Sequence, residues 1–210
     1  MSEPGRRRGR PPRLLSGDTA ARILDTARTL FAEHGFTVTT NRMVADAAGV
    51  TPTALYHYHA SKLDLYAAVH DECRDRLARR MAAAVTQADT FVDRLIAVLD
   101  TTQQLANEDP SLARFLASAH VDMARQADVQ AAVHGGSMWL SELVAGVVEA
   151  GVATGELGAA ERAGANALLV ALLMGLTDAA SIDPDLHNRA ITASRNALRG
   201  WVLARQLAGG

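Results

Sequence analysis

"VTPTALYHYHASK", residues 50–62, is the stretch on which the reading of the whole chain turns. Tyr56, His57, Tyr58 and His59 alternate as in a half-buried strand. What precedes them argues for a helix instead. Gly49 suits a left-handed turn, Thr51 is a good N-cap, and Pro52 falls at the first helical position, where its fixed φ helps and its missing N–H costs nothing. The pattern predicts a helix of about two turns, with Tyr56 and Tyr58 about 200° apart around it. His57 and His59 then point to different sides, whereas chelation on a helix wants i, i+4 spacing, so no metal site is expected here.

The same helical grammar extends in both directions. Upstream, from Asp18, the residues Ala20, Ile23, Leu24, Ala27, Leu30 and Phe31 share one face until Gly35 ends the helix. A short helix is expected from about Thr40 to Ala47. Downstream, Ser61 with Asp64 resembles a capping box, opening a helix to about residue 85 with Tyr66, Val69, Cys73, Leu77 and Met81 on one stripe. Further helices are expected at about 89–106, 110–125, 128–153, 159–181 and 184–207, with Gly135-Gly136 a possible kink. Asp109-Pro110 and Asp183-Pro184 each put a capping carboxylate before a first-turn proline. The expectation is an all-α chain of about nine helices, in agreement with heavy Ala, Leu and Arg usage and few β-branched clusters. Three parts follow: a disordered basic arm over residues 1–16, a helix-turn-helix domain over 17–62, and a larger helical domain over 63–210.

Charge divides the same way. The net charge of −2 conceals nine Lys/Arg against five Asp/Glu in residues 1–62 and twelve against eighteen in the rest. A basic front and an acidic back are expected where one end meets a polyanion. The single cysteine, Cys73, excludes an internal disulfide framework, and no apolar signal segment follows the basic N-terminus, so a cytoplasmic location is expected.

Two short helices joined by "AGV" and covered by a longer one make a helix-turn-helix unit. Val44, Ala47, Val50 and Leu55 are its expected core, with Ala45 small enough for close approach. Thr51, Pro52, Thr53 and Ala54 then lie at the end of the second helix that enters a major groove. Thr40, Tyr56, Tyr58 and His59 can offer donors to phosphate oxygens, and Lys62 adds charge at a helix N-terminus. Residues 31–69, "FAEHGFTVTTNRMVADAAGVTPTALYHYHASKLDLYAAV", resemble the DNA-binding segment of the tetracycline-repressor (TetR) family of bacterial transcription regulators. Gly35, Thr40, Ala45, Ala48-Gly49-Val50, Leu55-Tyr56, Tyr58 and Lys62 fall where that pattern places them; Asn41, Thr53 and His59 depart from it. In the arm, Arg8-Gly9-Arg10-Pro11 resembles an AT-hook core, whose arginines suit phosphate contact or the narrow minor groove of A·T-rich DNA.

The segment Ala163–Thr177 runs fifteen residues without a charge. That is short of the roughly 20 apolar residues a bilayer span needs, so no membrane association is expected. A helix apolar on nearly every side must be covered on nearly every side. Leu168, Leu172 and Gly175, with Ile191, Leu198, Trp201 and Val202 of the last helix, are the expected contacts of a homodimer, which the resemblance implies is a four-helix bundle. Dimerisation would set two reading helices about 34 Å apart, matching a palindromic operator in double-stranded DNA. The resemblance also implies a cavity for a small-molecule effector among the middle helices. Gln103, His120, Met123, Met138, Trp139 and Asn166 are the candidates for its lining. No cofactor or metal is implied.

Two other classes compete. His70 and Cys73 share a helix face near Asp71 and Asp75, but no third ligand, phosphate-binding glycine loop or Ser/Cys-His-Asp order accompanies them, so an enzyme is not expected. A dimeric carrier without DNA binding is opposed by the basic arm and Lys62. A regulator, and most commonly in such a family a repressor, is the expectation.

Overall fold

The computed structural model describes residues 16–133 and 138–208. Among them the chain forms ten α-helices and no strand: α1 (Ser16–Val38), α2 (Asn41–Ala48), α3 (Pro52–Tyr58), α4 (Lys62–Thr86), α5 (Phe91–Glu108), α6 (Pro110–Arg125), α7 (Ala127–Ala132), α8 (Met138–Ala153), α9 (Arg162–Ile182) and α10 (Pro184–Ala208). The arm with Arg8 and Arg10 lies outside the described residues, as do Gly135-Gly136 and the Val202 side chain.

Local chemistry accounts for most boundaries. The helical span of α1 is broken at Gly35, whose φ of 72° only glycine adopts without strain. The Thr40 hydroxyl accepts from Met43 N–H at 3.2 Å, so Thr40 caps α2 rather than joining it. Gly49 ends α2 in the left-handed region at φ 66°, Thr51 accepts from Ala54 N–H at 3.1 Å, and Ser61 accepts from Asp64 N–H at 3.0 Å. Asp64 reaches back to Ala60 N–H at 3.0 Å, one residue beyond the expected capping box.

Three expectations change. The single helix at 128–153 is two, α7 and α8, because α7 ends at Val133. Ala47 is exposed, whereas Val44, Ala45 and Ala48 are buried. Residues 44 and 48 stack one turn apart and 45 flanks them, which turns 47 outward. Asp109 does not cap α6; its carboxylate serves an ion network instead. There it meets Arg28 at 2.9 Å and Arg76 at 2.7 Å, while Arg28 also reaches Asp25 and Glu72.

α1, α2 and α3 form one small unit, and Arg22 donates to the Ala48 carbonyl at 2.9 Å to fix the α2–α3 turn against α1. That unit joins the rest through α4, which continues into the C-terminal helices, and through the packing of α1 on α6. An aromatic cluster marks the joint. The ring of Tyr66 lies 4.9 Å from Phe31, 5.1 Å from Phe36 and 5.3 Å from Phe115. Edge-to-face rings at these distances add about 0.5–1.5 kcal/mol each beyond the area they bury.

Candidate nucleic-acid interface and effector cavity

The N-terminal end of α3 stands clear of the molecule. Thr51, Pro52 and Thr53 are exposed and Ala54 is half-buried, while Leu55 on the opposite side is wholly buried and anchors the helix. Tyr56 and Tyr58 keep 54% and 38% of their surface exposed, more than packing tyrosines would. Thr40, Tyr56 and Lys62 border one shallow open depression with Thr39, Asn41 and Ser61. The N-terminus of α2 opens there, which favours an anion such as a phosphate oxygen.

Lys62 and His59 occupy different positions from those their charges suggest. The Lys62 ammonium donates to the Phe36 carbonyl at 2.8 Å and the Thr37 carbonyl at 3.3 Å, and lies 4.3 Å from the Phe36 ring centroid. It therefore locks the end of α1 to the start of α4, and burial lowers its pKa against the pull of Asp122 and Asp128. His59 is largely covered, with Nδ1 3.6 Å from Asp64; burial lowers its pKa despite that carboxylate. Among the described residues, Arg42 is the most open cation of the helix-turn-helix unit, its side chain 85% exposed.

A second feature lies in the C-terminal helices, a cavity of about 300 Å³ among α4, α5, α6, α8 and α9. Of the expected lining residues, His120, Met123 and Trp139 are on it. Three are elsewhere. Met138 is 64% exposed and off the wall. Gln103 donates to Asn188 at 2.7 Å and accepts from Arg195, so a contact between α5 and α10 consumes it. Asn166 does not line the cavity, although its Oδ1 is buried without a hydrogen-bond partner. The residues that sequence reading missed include His70, Leu77 and Met81 of α4, Thr102 of α5, and Leu173 and Thr177 of α9. His70, Leu77 and Met81 do carry a signal, since positions i, i+7 and i+11 share a helix face. Burial lowers the His70 pKa, assisted by Arg74 and His120 and opposed by Asp71. The neighbouring Cys73 is off the cavity, and burial pushes its thiol up to about 12.

The third surface is apolar. α9 hides Leu169, Leu173, Leu176 and Ala180 against its own chain but leaves Leu168 68% exposed, Met174 40% and Ile182 77%. With its leading 3₁₀ turn, Ala159–Ile182 is long and apolar enough for a bilayer span by length and composition, which the charge-free fifteen residues alone are not. Its buried stripe packs on α6, α8 and α10, as in a core helix. Leu172 is half-buried and Gly175 open. Ile191 is wholly enclosed by its own chain and has no area left for a partner. Leu198 and Trp201 are partly buried, Trp201 against Phe91 at 6.3 Å.

A capped three-helix unit with an exposed second helix, mounted on a larger helical body that holds a cavity, defines a helix-turn-helix regulator. Comparison with known proteins narrows the class. Residues 23–69 match the family described as bacterial regulatory proteins, tetR family. The chain is 30% identical over 104 residues to nucleoid occlusion factor SlmA of Haemophilus influenzae, a match covering 50% of this chain and 47% of that protein. Over 40 residues it is 55% identical to the transcriptional repressor KstR2 of Rhodococcus jostii, covering 19% of this chain and 20% of that one. The alignments thus span about half of the first relative and a fifth of the second. Among solved structures, Salmonella enterica GusR is 25% identical with a TM-score of 0.71, covering 87% of this chain and 94% of its own. AibR, solved in complex with isovaleryl coenzyme A and operator DNA, shares the fold at 16% identity and a TM-score of 0.69, covering 85% of this chain and 97% of its own. The chain belongs to the TetR family of transcriptional regulators, which are not enzymes.

Proposed function

We propose that this chain is a cytoplasmic, ligand-responsive repressor that grips a palindromic DNA operator as a homodimer and lets go when a small molecule fills the cavity of its C-terminal helices. The observation that carries the reading is the exposed N-terminal end of α3, held rigid by Thr51, Leu55 and the Arg22 bond to Ala48. Thr51, Pro52, Thr53 and Ala54 are small enough to approach base edges, while Thr40, Tyr56 and Tyr58 donate to phosphates.

Residues 17–62 carry four Lys/Arg and four Asp/Glu, so the reading head itself is neutral; residues 1–16 carry five arginines against one glutamate. The arm with Arg8 and Arg10 is therefore the counter-charge to the phosphate backbone. The exposed apolar surface of α9, with Leu168, Leu172 and Gly175, is the dimer face, and Leu198, Trp201 and Val202 extend it along α10.

Coupling runs through two helices. α4 begins at the Lys62 lock and carries His70, Leu77 and Met81 to the cavity. α6 carries His120 and Met123 to the cavity, and between them in sequence Asp122 accepts from Phe36 N–H at 3.0 Å and Tyr66 O–H at 3.1 Å. A ligand that favours a different α4–α6 packing shifts the spacing of the two heads, and a coupling of about 1–3 kcal/mol lowers operator affinity about 5- to 150-fold.

The test is selection of bound fragments from genomic DNA, followed by anisotropy titrations at several salt concentrations. Tyr56→Ala is expected to weaken operator binding about tenfold, and deletion of residues 1–13 to flatten the salt dependence. Binding that is indifferent to both changes refutes the assigned face.

A further inference from the structure

The cavity wall is selective in its chemistry. Among the described residues it contains no Lys, Arg, Asp or Glu, so nothing there would neutralise a charged ligand. Its polar side-chain groups are the imidazoles of His70 and His120, the hydroxyls of Thr102, Ser141 and Thr177, and the indole N–H of Trp139. Thr102 donates to the Leu99 carbonyl at 2.7 Å and Thr177 to the Leu173 carbonyl at 3.0 Å, so their protons are spent on the helices. What each oxygen has left is lone pairs.

Two buried imidazole nitrogens are unpartnered, one on the cavity wall and one beside it. His70 is 6% exposed, lines the cavity, and its Nδ1 has no hydrogen-bond partner. A smaller void of about 30 Å³ shares Leu77, Thr102, Leu116 and Thr177 with the main cavity and is closed by His187. His187 Nδ1 lies 2.9 Å from the Leu176 carbonyl, which can only accept, so Nδ1 carries the proton and the buried Nε2 is a lone pair without a donor. A buried acceptor left unpaired destabilises the fold, and a ligand that satisfies one recovers part of that loss.

Resting on the reading of this cavity as the effector site, we propose that the effector is a small uncharged amphiphile with a hydroxylic hydrogen-bond donor, its hydroxyl read by His70, Thr102 and Thr177 and its apolar body held by Leu77, Met81 and Trp139. A volume of about 300 Å³ matches about ten water molecules of liquid, hence a ligand of about ten heavy atoms. Such a wall does not suit the phosphates of a coenzyme A thioester or a free carboxylate.

Calorimetric titration of the full chain with 4-butylphenol, its methyl ether 4-butylanisole, 4-butylbenzoate and isovaleryl coenzyme A tests this, with the fluorescence of Trp139 and Trp201 followed in parallel. The phenol is expected to bind at least about tenfold more tightly than the ether, the difference of about one hydrogen bond, and more tightly than either anion. Combined His70→Phe and Thr177→Val changes, with folding checked by circular dichroism, are expected to bring phenol and ether within about threefold, and His70→Gln, which keeps an acceptor, to retain the preference. An ether as tight as the phenol, or a tighter benzoate or thioester, overturns the ligand class while leaving the cavity as effector site. No saturable heat or fluorescence change with any of the four probes overturns the cavity reading itself.

Discussion

Replacing Asp122 by alanine tests the joint between the reading head and the cavity-bearing helices. Its Oδ2 accepts from the backbone N–H of Phe36 at 3.0 Å and from the hydroxyl of Tyr66 at 3.1 Å. Tyr66 is wholly buried within the ring cluster, so its hydroxyl depends on that carboxylate for an acceptor. Hydrogen bonds to a charged group contribute about 1.5–3 kcal/mol each, and the alanine also leaves the buried phenol unsatisfied. Against this stands the recovered cost of holding a half-buried carboxylate. The net expected loss is about 3 kcal/mol, read by urea unfolding at one fixed protein concentration, because the stability of a dimer depends on concentration. Combining Asp122→Ala with Tyr66→Phe is expected to recover about 1 kcal/mol relative to additivity, because the phenylalanine has no hydroxyl to orphan. A loss below about 1 kcal/mol for Asp122→Ala, or strict additivity in the double variant, refutes the joint.

Three other outcomes follow from the geometry. A Cβ at Gly151 would stand 2.7 Å from Phe91 Cδ2 and 2.8 Å from Cγ, and that ring is buried and rests on Trp201, so Gly151→Ala should lower stability by about 1–2 kcal/mol in thermal melts even after its better helix propensity. Leu168→Glu puts a charge on the most open leucine of α9 and is expected to give monomers in sedimentation velocity without loss of helical circular dichroism; persistent dimers would place the interface elsewhere. Burial raises the Asp109 carboxyl, but its hydrogen bond from Ser111 and the charges of Arg28 and Arg76 outweigh this and hold its pKa below the ordinary carboxylate range. A depressed folded-state pKa gives stability that is complete above the unfolded value of about 4 and lost as pH falls through the folded one, so Asp109→Asn should flatten the acid side of the stability profile.

Local covalent grammar was legible in the sequence. Gly49 at positive φ, Thr51 before Pro52, and Ser61 as the cap of α4 each act within four residues of chain, and each does in the fold what its position implied, although Asp64 reaches back to Ala60 rather than Ser61. Tyr56 and the small residues at the head of α3 were readable for the same reason: a capped helix with Leu55 inward leaves its opposite side outward. Ala47 was misplaced because two adjacent alanines give periodicity too weak a contrast to decide which one faces the core.

What the tertiary structure decided involves partners far apart in sequence. Lys62 reads in the sequence as a charge at a helix start, and only the fold brings the carbonyls of Phe36 and Thr37, 26 and 25 residues away, beneath its ammonium. Asp122 is an unremarkable acid on α6 until the Gly35 break turns the Phe36 N–H toward it from 86 positions upstream. The cavity assembles one to four side chains from each of five helices, so His70, Thr102 and Thr177 share no spacing that a linear reading could detect. Helix periodicity reports which side of a segment avoids water, and it is silent on which other helix will cover that side.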